Sequence, residues 1–223
     1  MKVLIFGATG MVGRAALAAA LTDPRVTHVR AVVRRPPDYT HPRLDVLVLE
    51  DFFDYTAVEA NLTGFDACLF CLGVTAAGKD EATYRRLTYD LTLAAAETLA
   101  RRNPAMTFCY VSGSGTDAGS RMMWARVKGE TEAALSRLPF RAVYHFRPGF
   151  IRPEGDARPR IPLYRLAYAV TAPLYPVLRR LFPDHVTTAG EVGRALVEAG
   201  LAGAPTPVLE SRAIRALAAR APR

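Results

Sequence analysis

Seven residues near the start of the chain, Gly7-Ala8-Thr9-Gly10-Met11-Val12-Gly13, have the types and spacing of a phosphate cradle. They follow the apolar run Val3-Leu4-Ile5-Phe6 and lead into the Ala-rich segment from Ala15 to Leu21. A strand, a glycine turn and a helix in that order can receive a dinucleotide pyrophosphate. Gly7 permits the tight turn, Gly10 lets the backbone approach the phosphates, and Gly13 lets the helix lie close on the sheet. The free N–H groups of the helix start then face the negative charge. A ligand-free βα turn would use similar residues, but a position at the first strand–helix junction of an α/β pattern favours the cradle.

Arg34 and Arg35 close the next strand-like segment, where a dinucleotide fold places the adenosine ribose. An acidic side chain there would accept hydrogen bonds from a free 2′-hydroxyl, whereas arginine pairs with a 2′-phosphate. No Asp or Glu lies between His28 and Pro37. The expected cofactor is therefore NADP(H), with NAD(H) left open. Asp51 and Phe52 follow the third strand and could edge the adenine. Tyr84 and Tyr89 border the loop after the fourth strand and suit either packing or acid chemistry. His145 reads as a core histidine, and Arg147 as an anchor or a contact for an anionic substrate. Cys68 and Cys71 have the spacing of half a zinc or redox motif. No second Cys or His pair follows, and a strand points the two thiols to opposite faces, so no metal site is expected.

These residues need a scaffold, and the hydrophobic pattern supplies one. Strands are predicted at 2–6, 28–34, 45–50, 67–72, 107–112 and 141–146. Helices are predicted at 11–21, 80–101 and 121–137, with a short one at 55–61. Asp23-Pro24 stops the first helix. The run Ala67 to Leu72 is apolar throughout, as a strand buried on both faces should be. Gly73 to Lys79 is a small-residue loop at its carboxyl end. Strands alternating with helices at these lengths predict a parallel sheet covered on both faces, in the doubly wound order 3-2-1-4-5-6.

After Arg147-Pro148-Gly149 the pattern changes. Prolines at 153, 159 and 162 mark a loop. The stretch from Leu163 to Leu181 is aromatic and aliphatic, but Arg165 interrupts it and Pro173 and Pro176 break it, so it is too short to span a bilayer. Arg179-Arg180 beside it leave contact with a membrane surface open. A helix from Glu191 to Ala199 ending at Gly200, a short strand at Val208-Leu209 and a plain surface helix complete the expected order.

The chain of 223 residues is 50% hydrophobic and 22% charged, enough for one core and one domain over 1–223. Its net charge of +8 is spread along the sequence, with no basic run to suggest a nucleic-acid partner. The N-terminal apolar run is too short for a secretory signal, and the three cysteines suit a reducing compartment, so a cytoplasmic location is expected.

Taken in order, Gly-Ala-Thr-Gly-Met-Val-Gly, Val-Val-Arg-Arg-Pro, Cys-Leu-Gly, Tyr-Val-Ser-Gly-Ser, Val-Lys-Gly-Glu and Phe-Arg-Pro-Gly-Phe resemble the atypical or extended short-chain dehydrogenase/reductases. The similarity is closer to the Tat-interacting oxidoreductase-like proteins and to bacterial chains labelled epimerases, and it covers residues 1–152. The resemblance implies a Rossmann-type fold with a cofactor core over 1–150. It also implies that residues 151–223 form a small, mostly helical substrate region closing over the nicotinamide. The cofactor would be held by Gly7, Thr9, Gly10, Met11, Val12, Gly13, Arg34, Arg35, Asp51, Phe52, Cys71, Leu72, Gly73, Lys128 and Pro148.

The family's catalytic set is a Ser, a Tyr and a Lys, the last two spaced Tyr-x-x-x-Lys. Lys128 stands at the Lys position, and Ser112 or Ser114 at the Ser position. The Tyr position is Trp124, whose indole donates a hydrogen bond but cannot exchange a proton near neutral pH. Two functions follow as expectations. One is an NADPH-dependent reductase of a small apolar, quinone or flavin substrate. The other is a non-enzymic NADP(H) sensor acting through a protein partner. Epimerase or dehydratase chemistry is a third, disfavoured by the short apolar region after the sixth strand.

Overall fold

The computed structural model describes residues 1–36, 40–154 and 185–221. The chain opens with β1 (Lys2–Phe6), α1 (Met11–Thr22), β2 (His28–Val33) and β3 (Leu44–Val48). A 3₁₀ turn over Thr56–Leu62 precedes β4 (Ala67–Phe70). A long helix follows in three parts: α2 (Glu81–Arg85), a π segment (Arg86–Asp90) and α3 (Leu91–Arg102). Next come β5 (Thr107–Val111), α4 (Met123–Leu135), β6 (Ala142–Arg147) and β7 (Phe150–Arg152). The last elements are β8 (Val186–Thr188), α5 (Ala189–Ala202), β9 (Val208–Glu210) and α6 (Ser211–Ala218). Seven strands form one parallel sheet in the order β3-β2-β1-β4-β5-β6-β9, a Rossmann-like α/β fold with the predicted order extended by β9. β7 and β8 make a separate parallel pair.

Alternation along the strands divides the core. Val3 and Ile5 face one side with Cys109, Leu196 and Ile214, where α1, α5 and α6 cover the sheet. Leu4 and Phe6 face the other with Phe70, Phe108 and Leu99, beneath the 3₁₀ turn, α3 and α4. On that second face Phe6, Phe70, Phe108 and Phe140 stack in series at centroid separations of 5.3, 5.7 and 5.0 Å. Cys68 lies in the second core while Cys71 packs against the first, as the strand period requires.

Several boundaries differ from the sequence reading. β4 stops at Phe70 because the backbone of Cys71 and Leu72 is pressed against Gly7: a Cβ there would stand 2.9–3.0 Å from it. β3 likewise ends at Val48, before Glu50. The helix expected to end at Gly200 continues to Ala202 and terminates at Gly203, whose φ is +83°. Gly200 sits inside it, over Ala67 on the sheet. The C-terminal helix is a core element: Ile214 and Leu217 are buried against α5. Residues 186–218 therefore complete the sheet and cover one face of it. The stretch 163–181, with its membrane-surface potential, lies outside the described residues, as does much of the region 151–223 expected to close over the nicotinamide. No helix among the described residues is long and apolar enough to cross a membrane.

α1 and α5 pack closely, backbone against backbone. A Cβ on Gly193 would stand 2.5 Å from the carbonyl carbon of Ala15. α5 is aimed there by a capping box. The Thr188 hydroxyl accepts the Glu191 N–H at 3.1 Å, and the Glu191 carboxylate accepts the Thr188 N–H at 2.9 Å. Gly193→Val should force the two helices apart and cost about 1–3 kcal/mol in urea unfolding. An unchanged midpoint would show that the contact does not hold the helices together.

Candidate functional site

At the end of β1, Gly7 adopts φ +78°, a conformation open to glycine, and its carbonyl accepts the Gly10 N–H at 2.9 Å. Gly10 caps α1 without a side chain, and its own carbonyl accepts the Arg14 N–H at 2.8 Å. Gly13 lies directly on Gly7: a Cβ at 13 would meet the Gly7 carbonyl and stand 2.6 Å from its carbon. No acidic residue occupies the first turn of α1. The helix start thus offers unpaired N–H groups and a positive dipole end with no side chain to block them, which fits a pyrophosphate. Met11 and Val12 open this helix, with Val12 packed on the core.

A cleft of about 1130 Å³ runs from this turn along the carboxyl ends of β2 to β4. Gly7, Ala8 and Thr9 line it with Arg34 and Arg35, and Phe52 and Leu72 form its apolar wall. Two charged residues here were missed in the sequence. Arg14 follows the third glycine and points its helix face into the cleft, and Glu50 leaves β3 beside it. Position alone could have flagged Arg14, since a first-turn residue borders whatever the helix start binds. Arg14, Arg34 and Arg35 are all exposed, and none of their guanidinium groups has an ion-pair or hydrogen-bond partner among the described residues. Asp51 does not line the cleft: its carboxylate accepts the Phe53 N–H at 2.8 Å and shapes the local turn. Cys71 meets Gly7 through backbone, with its thiol pushed up to about 12 by burial. Gly73 stands in open space just beyond.

The second group of expected residues gathers at the carboxyl ends of β5 and β6. α4 is docked there by Gly129, since a Cβ at that position would lie 2.6 Å from the carbonyl carbon of Asp117. The docking places Trp124 over Gly115, with Cη2 3.4 Å from where a Cβ would be. The indole is half-buried at the rim, not in the core. Lys128 is also half-buried; its Nζ donates to the Ser112 carbonyl and lies 3.8 Å from a Cβ on Gly113. Burial pushes the Lys128 ammonium down to about 8, partly opposed by Glu132. Ser114 donates its N–H to the Pro148 carbonyl at 3.0 Å, joining the two strand ends.

Ser112 is buried, and its hydroxyl donates to Glu132, so it is not free at the rim. Glu132, one turn beyond Lys128, is a third residue the sequence reading missed; its i, i+4 spacing from Lys128 was the available signal. Arg147 clamps it, with Nε 3.0 and 3.2 Å from the two carboxylate oxygens and Nη2 2.5 Å from one. Arg147 also faces Glu210 at 3.8 Å. It is thus an anchor binding α4 to the sheet rather than an open anion contact. Tyr84 is buried with its hydroxyl raised by burial, which marks it as packing, and Tyr89 lies under the Arg85 guanidinium, 4.5 Å from its ring centroid. His145 is buried, and its Nε2 lies 2.8 Å from the Ser136 hydroxyl.

Removing Glu132 should be costly, because it would strand a partly buried guanidinium and the Ser112 hydroxyl. Glu132→Ala is expected to lose about 3–5 kcal/mol of stability by chemical denaturation. A loss below 1 kcal/mol would mean that the Ser112–Glu132–Arg147 network does not tie α4 to the sheet.

Comparisons with known proteins agree with this geometry. The family described as NAD(P)H-binding matches residues 7–136. The protein fmp52, mitochondrial, of Emericella nidulans is 30% identical over 207 residues, covering 90% of this chain and 87% of its own. Protein HTATIP2 of Rattus norvegicus is 29% identical over 155 residues, 67% of this chain and 62% of its own. Among solved structures, a short chain dehydrogenase family protein from Francisella tularensis has TM-score 0.64 at 11% identity, covering 91% of each chain. The Bordetella bronchiseptica enzyme WbmF in complex with NAD+ has TM-score 0.63 at 18% identity, covering 98% of this chain and 76% of its own. At such identities these two share the fold. The fungal relatives are named as mitochondrial proteins, which overturns the expectation of a cytoplasmic location. Free thiols point to a reducing compartment, and the cytosol is not the only one. With the glycine turn, the cleft beside it and the matched family in agreement, this chain belongs to the NAD(P)H-binding family.

Proposed function

We propose that this protein binds NADP(H) in preference to NAD(H) and reduces a small apolar, quinone or flavin substrate. The observation that carries the cofactor preference is the set of three unpartnered arginines, Arg14, Arg34 and Arg35, on one cleft with a single acidic side chain, Glu50. Elsewhere arginines are spent on carboxylates, as in Arg25 with Asp23 and Glu198 or Arg126 with Glu81. An exposed cluster of like charges repels itself unless an anion joins it, and a 2′-phosphate is the anion that belongs beside an adenosine ribose. When bound, the cofactor supplies hydride. Gly7 to Gly13 hold its pyrophosphate, Phe52 and Leu72 flank the adenine, and Lys128 reaches the nicotinamide ribose.

Trp124 sets the substrate preference. A positioned acid contributes about 10²–10⁴-fold in rate, and an indole cannot act as one. Its flat face at the rim suits stacking on a planar acceptor. Quinones and flavins are planar and depend less on a positioned phenol than a ketone does. The same substitution supports a second reading, a non-enzymic NADP(H) sensor.

Calorimetric titration tests the cofactor assignment. NADPH should bind more tightly than NADH, and Arg34→Ser or Arg35→Ser should each weaken NADPH by about 1.5–3 kcal/mol while leaving NADH unchanged. Equal affinities for the two cofactors would remove the role given to these arginines. Stopped-flow oxidation of bound NADPH against quinones, flavins and aldehydes tests the reaction. Planar acceptors should turn over faster than aldehydes, and Trp124→Tyr should raise aldehyde reduction with little change in NADPH binding. No oxidation by any acceptor would favour the sensor.

A further inference from the structure

Glu132 stands one helical turn beyond Lys128 on α4, the spacing at which a carboxylate ordinarily pairs with a lysine. That pairing does not form here. One Glu132 oxygen takes the Ser112 hydroxyl, and Arg147 reaches both oxygens. Lys128 is left with the Ser112 carbonyl as its acceptor. An ammonium carries three N–H donors, so two remain, and Gly113 places no side chain over them. The charged group that acts on the lysine is Glu132 on its own helix, and Arg147 on β6 faces Glu132. Asp117 from the β5–α4 loop and Glu210 from β9 face Arg147 in turn.

We propose that Lys128 is the proton donor of this site, and that Arg147 is the positioning residue that makes it one by keeping Glu132 out of an ion pair with it. The proposal rests on the reductase reading and accounts for the slow carbonyl turnover expected without a phenol. As hydride from the dihydronicotinamide reaches the carbonyl carbon, the C=O π pair moves to oxygen. That oxygen takes a proton from Lys128 Nζ, the N–H electron pair stays on nitrogen, and water later returns a proton to the neutral amine. The carbonyl is reduced to an alcohol and the dinucleotide is oxidised.

The chain has three lysines, Lys2, Lys79 and Lys128, so carbon NMR of the reductively ¹³C-methylated protein can follow each one. In the cofactor-free protein Lys128 should titrate below the other two. Arg147→Gln frees Glu132 to pair with Lys128 and should raise its midpoint by about one unit or more, whereas Glu132→Gln removes the carboxylate and should lower it. Carbonyl reduction at saturating NADPH needs the ammonium form, so its rate should fall as pH rises through that midpoint, and the limb should move up in the first variant and down in the second. Merely structural damage would move both variants the same way. Should Arg147→Gln not fold, Glu132→Gln decides alone, since the amide keeps the side chain's shape. A Lys128 that titrates with the other lysines, or a pH limb that stays put while its midpoint moves, overturns the proposal and leaves the reductase standing. Failure of every aldehyde and ketone to oxidise NADPH, with quinones still active, also overturns it; failure of all acceptors removes the reductase reading with it.

Discussion

The Gly7 backbone is gripped from two sides. Gly13 brings the first turn of α1 onto its carbonyl, and the Cys71–Leu72 backbone closes on its Cα from the neighbouring strand end. Neither approach leaves room for a methyl group, and the φ of +78° excludes other residues on backbone grounds as well. Because β1 and β4 lie side by side where the strand order reverses, this contact fixes the crevice at which open α/β sheets take their ligands. The cleft beside it, the aim of the helix dipole and the early end of β4 all follow from that one packing constraint. The same device recurs farther back along α1, where Gly193 lets α5 lie against Ala15. α1 is therefore held by backbone contact both at Gly13 and at Ala15–Ala16.

A second constraint is electrostatic. Glu132 is buried, and a buried carboxylate without compensation costs several kcal/mol. Arg147 meets it from the end of β6 and Ser112 from the end of β5, so the neutralising partners come from two strands and the carboxylate from a helix. The interaction thereby sets the height of α4 on the sheet. Trp124 and Lys128 stand on the same helix, which makes their place at the rim a consequence of that buried pair.

Much of this was legible in the sequence, and the reasons differ by element. The apolar runs at 2–6 and 67–72 and the β-branched run at 28–34 announced parallel strands because both faces are covered, and the sheet order followed from short right-handed crossovers. The glycine turn was legible because backbone contact admits few substitutes. Arg14 and Glu132 were not, since a charged residue in a helix looks the same whether it meets solvent, a ligand or a buried partner. The C-terminal helix was misread as surface for a related reason. Its Ala- and Arg-rich composition suggests solvent, and only the spacing of Ile214, Leu217 and Ala218 shows the buried stripe. The location was misjudged because cysteine chemistry reports redox conditions, which different compartments share.

The carboxyl edge of the sheet handles charge in two opposite ways. At the ends of β1 to β3 the arginines are exposed and uncompensated, so their field extends into a cleft wide enough for a nucleotide. At the ends of β5 and β6 the buried Glu132 is cancelled by Arg147, and Lys128 is a half-buried lysine beside glycine with a backbone carbonyl as its acceptor. An anion is attracted over a distance by the first arrangement and ignored by the second. A proton behaves conversely: exposed guanidiniums never release one, whereas a lysine short of solvent and of a counter-ion holds its proton loosely. The separation suits one end of the edge to an anion and the other to a proton. It needs no additional domain, only that the carboxylate nearest the lysine be claimed first by an arginine on the adjoining strand.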